Sequence, residues 1–342
     1  MADGGEGTVD AFLAGGWERI VRRVSGPLGE PVDAAFAFGR PPGEDPTAVV
    51  EMAAASGLAL LPARGSAGVR AASTFGTGEL VRAALDCGAR RIVIALGGSA
   101  TNDAGAGLLA ALGVRFETRD GAPLGPGGAA LATLAHIATD GLDPRLRAVR
   151  IEIAADVDSP LTGPLGASRV FGPQKGANAA DVAELEHALT HFADRTAAFL
   201  GRDVRDEPGS GAAGGLGFAL RAYFGASVRS GAAVVAELRG LPRALRDAAW
   251  CFTGEGAIDA QTSYGKTVAA VGALARAAGA RTIAFGGRVE AAAERSLAEA
   301  GIVAIPIVAG PATLADTLAD AAGLLERAAA RVARLLVSRE RP

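Results

Sequence analysis

The chain has 342 residues, 49% hydrophobic and 21% charged, with a formal net charge of -3. That composition supplies buried cores for about two domains and does not read as disorder, and the slight acidity removes the basic footprint that nucleic-acid binding requires. No apolar run approaches the ~18 residues of a membrane span.

The first residues, Met1 to Glu6, are acidic and glycine-rich, unlike a signal peptide, which points to a cytoplasmic protein. The only cysteines, Cys87 and Cys251, have no short spacing and read as thiols of a reducing compartment. His136, His187 and His191 are too few and too badly placed for a zinc site.

In chain order, residues 32–38 read as a strand and 48–61 as a helix, separated by the turn Pro41-Pro42-Gly43. Residues 91–96 form a buried strand, followed by a glycine-rich bend over 97–107 and a helix over 108–112. A bend between strand and helix offers unpaired amides and the positive end of a helix, an anion site. Gly97, Gly98 and Ser99 would give amides, Thr101 and Asn102 neutral hydrogen bonds, and Asp103 a carboxylate for a metal or a hydroxyl proton. Helix capping is the bland reading, but capping requires one such residue and the bend carries four.

Residues 151–155 read as another strand, ending at Asp156-Val157-Asp158. Carboxylates two apart share a face if the chain stays extended, so Asp158 is a candidate for metal or base duty. Gly163, Gly166, Arg169, Gln174 and Lys175 follow in one loop-rich stretch. Arg169 is a candidate clamp for a substrate carboxylate, with a surface salt bridge as the alternative. Residues 181–200 form an amphipathic helix. The string Gly209-Ser210-Gly211-Ala212-Ala213-Gly214 matches GxGxxG but follows no strand, so it lacks a dinucleotide context.

Strands over 249–253, 282–285 and 302–305 alternate with a helix over 267–278 and closing helices over 314–336, the pattern of a parallel doubly wound sheet. Between the first strand and its helix lie Gly254, Glu255, Asp259, Lys266 and Thr267. Gly265-Lys266-Thr267 is similar to the end of a phosphate loop, but Ala260 stands where that pattern requires glycine. Glu255 is the second candidate metal ligand beside Asp158. Of the 34 basic residues only Lys175 and Lys266 are lysines, and both lie in glycine-rich loops, where a compact ammonium suits phosphate oxygens.

Taken in order, several segments resemble the type 1 glycerate kinases: Ala2-Asp3-Gly4-Gly5-Glu6-Gly7-Thr8, Glu51-Met52-Ala53, Ser56-Gly57-Leu58, Gly76-Thr77-Gly78-Glu79-Leu80 and the 97–107 bend. Asp156-Val157-Asp158-Ser159-Pro160-Leu161, Phe171-Gly172-Pro173-Gln174-Lys175-Gly176 and the stretch from Thr253-Gly254-Glu255-Gly256 to Lys266-Thr267 complete the set. The resemblance covers essentially the whole chain. It implies an α/β fold of two domains, a flavodoxin-like doubly wound parallel sheet from 1–30 with 240–342, and an inserted mixed-sheet domain over 31–239. It also implies ATP with Mg2+ as donor and D-glycerate as acceptor, most often giving 2-phosphoglycerate. Small molecules, glycerate and ATP, are then the partners, with a homodimer as an option and neither nucleic acid nor membrane.

In that family a further strand and helix precede the acidic glycine loop. A misassigned start is the expectation here, with a truncated form that only binds ligand as the alternative. Formation of 3-phosphoglycerate and a nucleotide-dependent oxidoreductase acting on a hydroxy acid are the other rival readings.

Overall fold

The computed structural model of the protein describes residues 5, 7–41, 43–259, 262 and 267–337. Its contacts divide the chain after Gly231 into a larger N-terminal unit and a smaller C-terminal one.

In the larger unit the strands are β1 (Glu18–Ser25), β2 (Pro31–Gly39), β3 (Thr47–Glu51), β4 (Arg91–Ala95), β5 (Arg115–Glu117), β6 (His136–Ala138), β7 (Arg150–Ala154) and β8 (Ser227–Arg229). Six of them form one sheet in the order β1-β2-β3-β4-β7-β8, and β5 pairs with β6 separately. The β1–β2 and β2–β3 pairs are antiparallel, whereas β3, β4, β7 and β8 run parallel, so the sheet is mixed as expected. All five residues of β4 are buried, as a central parallel strand covered on both faces demands. Ile92, Ile94, Ile151 and Ile153 share an apolar cluster with Leu80, Val81 and Leu85 of the helix Phe75–Asp86 and with Leu189 and Phe192 of the helix Ala179–Leu200. Asn178 and Asp181 close a capping box at the start of the second helix, and Gly201 ends it at φ 72°.

Two expectations differ from this arrangement. The helix read over 48–61 begins as β3 and becomes only the short helix Ala53–Ser56, because Val49 and Val50 are fully buried on opposite faces of the sheet. Residues 1–30, expected in the C-terminal domain, instead carry β1, which pairs with β2 along its whole length at the edge of the larger sheet. The contact division correspondingly falls at 231/232 and not at 239/240.

The smaller unit holds β9 (Trp250–Ile258), β10 (Arg281–Val289) and β11 (Ile302–Pro306), all parallel, in the order β11-β10-β9. Ala284 packs with Val268 of the helix Thr267–Ala277 and with Ala293 and Leu297 of the helix Ala291–Glu299. Its neighbours Ile283 and Phe285 pack with Ala328 and Val332 of the helix Ala321–Val337. Side chains alternate across a strand, so these helices cover opposite faces, the doubly wound arrangement expected. Gly254 and Glu255, expected between the strand over 249–253 and its helix, lie with Gly256 inside β9. A Cβ at Gly254 would stand 2.5 Å from the Phe285 carbonyl, and its absence lets the strands stay close there. Among the described residues no helix is long and apolar enough to cross a membrane.

Candidate active site

The four parallel strands of the larger unit end on one edge. Glu51, Ala95, Ala154 and Arg229 form a register row across it, and the chain leaves this row into Met52, Leu96-Gly97, Ala155-Asp156 and Ser230-Gly231. In open parallel sheets ligands sit outside such carboxyl ends. Gly97, Gly98, Ser99, Asp156 and Asp158 are therefore brought to one edge, joined by Glu51 and Arg229. Sequence patterns gave Glu51 only as part of a motif and Arg229 no signal, since their places depend on strand register. The edge is stitched by Leu96 N–H to the Ala154 carbonyl (3.1 Å), Ala155 N–H to the Arg229 carbonyl (3.1 Å) and Gly231 N–H to the Asp156 carboxylate (3.3 Å).

The 97–107 bend is held from the side. Leu58 N–H donates to the Gly98 carbonyl (2.8 Å) and Ala100 N–H to the Ser56 carbonyl (3.0 Å). Gly98 sits at φ 73° and is exposed, Gly97 and Ser99 are half-buried, and residues 100–106 are buried. Solvent thus reaches the first three residues of the bend and Gly107 at its end.

Asp103 points inward. It accepts from the amide (2.8 Å) and hydroxyl (2.8 Å) of Thr74 and from the amides of Gly105 (3.1 Å) and Gly107 (3.3 Å). The expected free amides at the start of the helix Ala106–Ala111 are already paired, because the bend supplies its own carboxylate to them. Burial pushes the Asp103 carboxyl above the ordinary range, against the donors from Thr74, Gly105 and Gly107.

Lys175 also turns inward, contrary to the expected phosphate contact. It is 2% exposed, and its Nζ donates to the Thr101 carbonyl at 2.6 Å. The turn Pro173–Lys175 ends at Gly176, φ 103°, where a Cβ would stand 2.3 Å from the Gly65 amide nitrogen; this close approach drives the lysine under the bend. Burial pulls its pKa down to about 7, opposed by the charge of Asp103. Thr101 donates to the Ala213 carbonyl (3.3 Å) and Asn102 to the Ser168 hydroxyl (2.9 Å), so neither offers these donors outward.

The GxGxxG string backs this assembly. Gly214, at φ 68°, lies where a Cβ would be 2.0 Å from the same Thr101 carbonyl that Lys175 holds, and Ala104 N–H donates to the Gly214 carbonyl (3.0 Å). Ala104 (φ 51°) and Ala213 (φ 53°) are the non-glycine residues of positive φ among the described residues, and both lie at this contact, Ala104 bonded to Gly214 and Ala213 to Thr101. Strain of that kind persists only where the surroundings over-determine the backbone.

Asp158 and Gln174 are exposed. Arg169 is 52% exposed and meets Glu186 at 3.7 Å. A tighter basic cluster runs under the edge, where Glu152 is bound by Arg91 (2.9 Å), Arg150 (2.6 Å) and Arg229 (3.2 Å). Burial alone would raise the Glu152 carboxyl, but the hydrogen bond and charge of Arg91, with the charges of Arg150 and Arg229, hold it below its ordinary value.

In the smaller unit Glu255 accepts from the Thr262 hydroxyl (3.1 Å) and the Val268 amide (3.2 Å), which ties β9 to the start of the helix Thr267–Ala277. Gly254 is exposed, and Asp259 and Thr267 are half-buried. Lys266 lies outside the described residues. Among the described residues no three His, Cys, Asp or Glu side chains are grouped to hold a metal.

A profile of the Glycerate kinase family matches residues 1–337. The Glycerate kinase of Bacillus subtilis (strain 168) is 46% identical over 335 residues, which are 97% of this chain and 86% of that protein. The Glycerate 2-kinase of Escherichia coli (strain K12) is 47% identical over 278 residues, 81% of this chain and 72% of that protein. A crystal structure described as a glycerate kinase 2 from Salmonella typhimurium LT2 superposes with a TM-score of 0.83 at 40% identity, covering 100% of this chain and 89% of that one.

Proposed function

Because the chain belongs to the glycerate kinase family, we propose that it transfers the terminal phosphoryl group of ATP to D-glycerate in the cytoplasm, giving 2-phosphoglycerate and ADP. The observation that carries this reading is the single edge on which the outward Gly97–Ser99 corner, Asp156 and Asp158 meet at the ends of parallel strands.

Phosphoryl transfer asks for positioning and charge stabilisation more than for covalent help from the protein. The substrate hydroxyl oxygen bonds to the γ-phosphorus, the bond to the β,γ-bridging oxygen breaks, and ADP leaves with those electrons. We assign the departing hydroxyl proton to Asp158, an exposed carboxylate at the edge, and contacts to the phosphates to the Gly97–Ser99 amides; Lys266, outside the described residues, is the smaller unit's own candidate for a phosphate contact. Asp103 and Lys175 act through the bend, since both are buried and turned away from solvent.

Magnesium typically takes one or two protein carboxylates and completes its shell with phosphates and water. Asp158 meets that modest demand, whereas Glu255 already accepts two hydrogen bonds. When bound, the ion neutralises charge on the phosphates. Lys266→Ala is expected to lower the turnover number roughly tenfold or more with the melting temperature unchanged, as loss of a transition-state charge contact does; an unchanged turnover number contradicts that role.

The test of the reaction itself is ADP release with and without D-glycerate, followed by enolase treatment of the product. Glycerate-dependent ADP and a product that enolase consumes directly support the reading. A product needing a mutase first means 3-phosphorylation, and thermal stabilisation by glycerate without any product means a binding protein.

A further inference from the structure

We infer that Glu51 is a positioning residue for the glycerate step: its carboxylate fixes the start of the helix Thr8–Leu13, with Gly7 before it, against the carboxyl edge of the larger sheet. The assignment rests on the reading above and adds the group that sets one wall of the acceptor site. Glu51 is the last residue of β3 and pairs with Ala95 in the register row. Its Oε1 accepts from the Val9 amide at 2.6 Å, across 42 positions of sequence.

The helix Thr8–Leu13 has only six residues, too few to hold itself in water. Its first amides lack intrahelical acceptors, and Gly7 at the N-cap brings no side chain to them. An acceptor arrives instead from the end of β3. Thr8 is 1% exposed and donates its hydroxyl to the Gly5 carbonyl (2.8 Å), whereas Gly7, at φ 86°, is exposed. A Cβ at Gly7 would meet nothing within 4 Å, so the space beside it is open.

The far end of the helix is held independently. Phe12 is fully buried, and its ring lies 4.8 Å from that of Trp17. Loss of the Glu51 carboxylate therefore loosens Gly7 and the first turn before it loosens the sheet. That end is tied to the site: the next residue, Met52, donates its amide to the Ala95 carbonyl (3.0 Å), two residues before Gly97.

A carboxylate used for its reach and one used for its charge predict opposite orders of variants. Glutamine keeps an acceptor oxygen at the same reach without the charge, and aspartate keeps the charge one methylene short. Glu79 supplies a matched control. It is half-buried like Glu51 and accepts from the Ser25 amide at 2.7 Å, across 54 positions, at the end of β1, a strand outside the register row.

The test compares the wild type with Glu51→Ala, Glu51→Gln, Glu51→Asp and Glu79→Ala by kcat/KM for D-glycerate, KM for ATP and melting temperature. Glu51→Ala is expected to lower kcat/KM for glycerate about tenfold to a hundredfold, the loss that a small displacement near reacting groups causes, with the KM for ATP within about twofold. Glu51→Gln should stay within about threefold of the wild type, and Glu51→Asp should fall close to the alanine variant. Glu79→Ala should lose a comparable part of the melting temperature, with kcat/KM for glycerate within about twofold.

The reverse order, with aspartate active and glutamine as poor as alanine, means that the charge acts directly and overturns the positioning role. An unchanged kcat/KM in Glu51→Ala overturns it too, as does an equal loss in Glu79→Ala. If Glu51→Ala does not fold, the order of the glutamine and aspartate variants decides. If the wild type makes no phosphoglycerate, the functional reading fails, and calorimetric titration of D-glycerate decides the role of Glu51. Binding kept in Glu51→Gln and weakened in Glu51→Asp supports it; binding equal in the two, or absent from the wild type, overturns it.

Discussion

Replacing Asp103 by alanine is expected to destabilise the larger unit by about 3 kcal/mol or more, the cost of leaving three buried amides without their acceptor at about 1–3 kcal/mol each, and to abolish turnover. Four donors converge on this carboxylate, and three of them are amides with no other shown acceptor: those of Thr74, Gly105 and Gly107. An unsatisfied buried donor costs about 1–3 kcal/mol, so the amides alone account for most of the effect. The variant also removes the charge beside Lys175. Against a total stability of about 5–15 kcal/mol, such a loss is large. Urea unfolding of the wild type and variant measures it directly. If Asp103 were instead a solvent-facing base, turnover would vanish with the unfolding midpoint intact, and that result would overturn the positioning role given to it here.

For Lys175→Met, the gap in stability to the wild type is expected to depend on pH. The folded-state pKa of Lys175 is pulled down to about 7 from 10.5, so between those values the unfolded chain binds more protons and wild-type stability rises with pH. The stability associated with the neutral amine is fully present above the unfolded value and is lost as pH falls through the folded one. Methionine has no proton to bind, so its stability lacks this pH dependence, and the stability of the wild type relative to the variant should rise between pH 6 and pH 10. Turnover should fall at every pH, because the Thr101 carbonyl loses its 2.6 Å donor and the bend loses its support. Parallel stability curves for the two proteins across that window would contradict the burial argument.

Much of the architecture was legible because apolar periodicity is local. The run Arg91 to Leu96 and the strands around Ile151, Ile283 and Ile302 appear where their alternation or continuity placed them. The stretch from Ala48 failed because its alanines carry helix propensity while burial on both faces of the sheet decided for strand; tertiary packing overrode propensity. The strand expected to end at Thr253 runs on to Ile258 for a related reason, since Gly254 serves close strand approach rather than a break.

For the site, the positions of loops were legible and the directions of side chains were not. Asp103 and Lys175 were found as chemically unusual residues in glycine-rich loops, yet whether each faces solvent depends on partners far along the chain, Thr74 for one and Thr101 for the other. The string from Gly209 to Gly214 lacks the strand of a nucleotide fingerprint; its Gly214 instead admits the backbone of Thr101 and Asn102, and its Gly211 that of Pro160. Arg229 had no local mark at all. Its place at the edge follows from a register that pairs it with Ala154, 75 residues earlier.

Hydrogen exchange of the wild type, read peptide by peptide with and without D-glycerate and a non-hydrolysable ATP analogue, tests most directly whether the acid is held at the carboxyl edge of the six-stranded sheet. Slowed exchange over 97–101, 156–159 and 229–231 is the expected result. Unchanged exchange in all three, with slowing confined to a distant loop of the same unit such as 123–127, would contradict it.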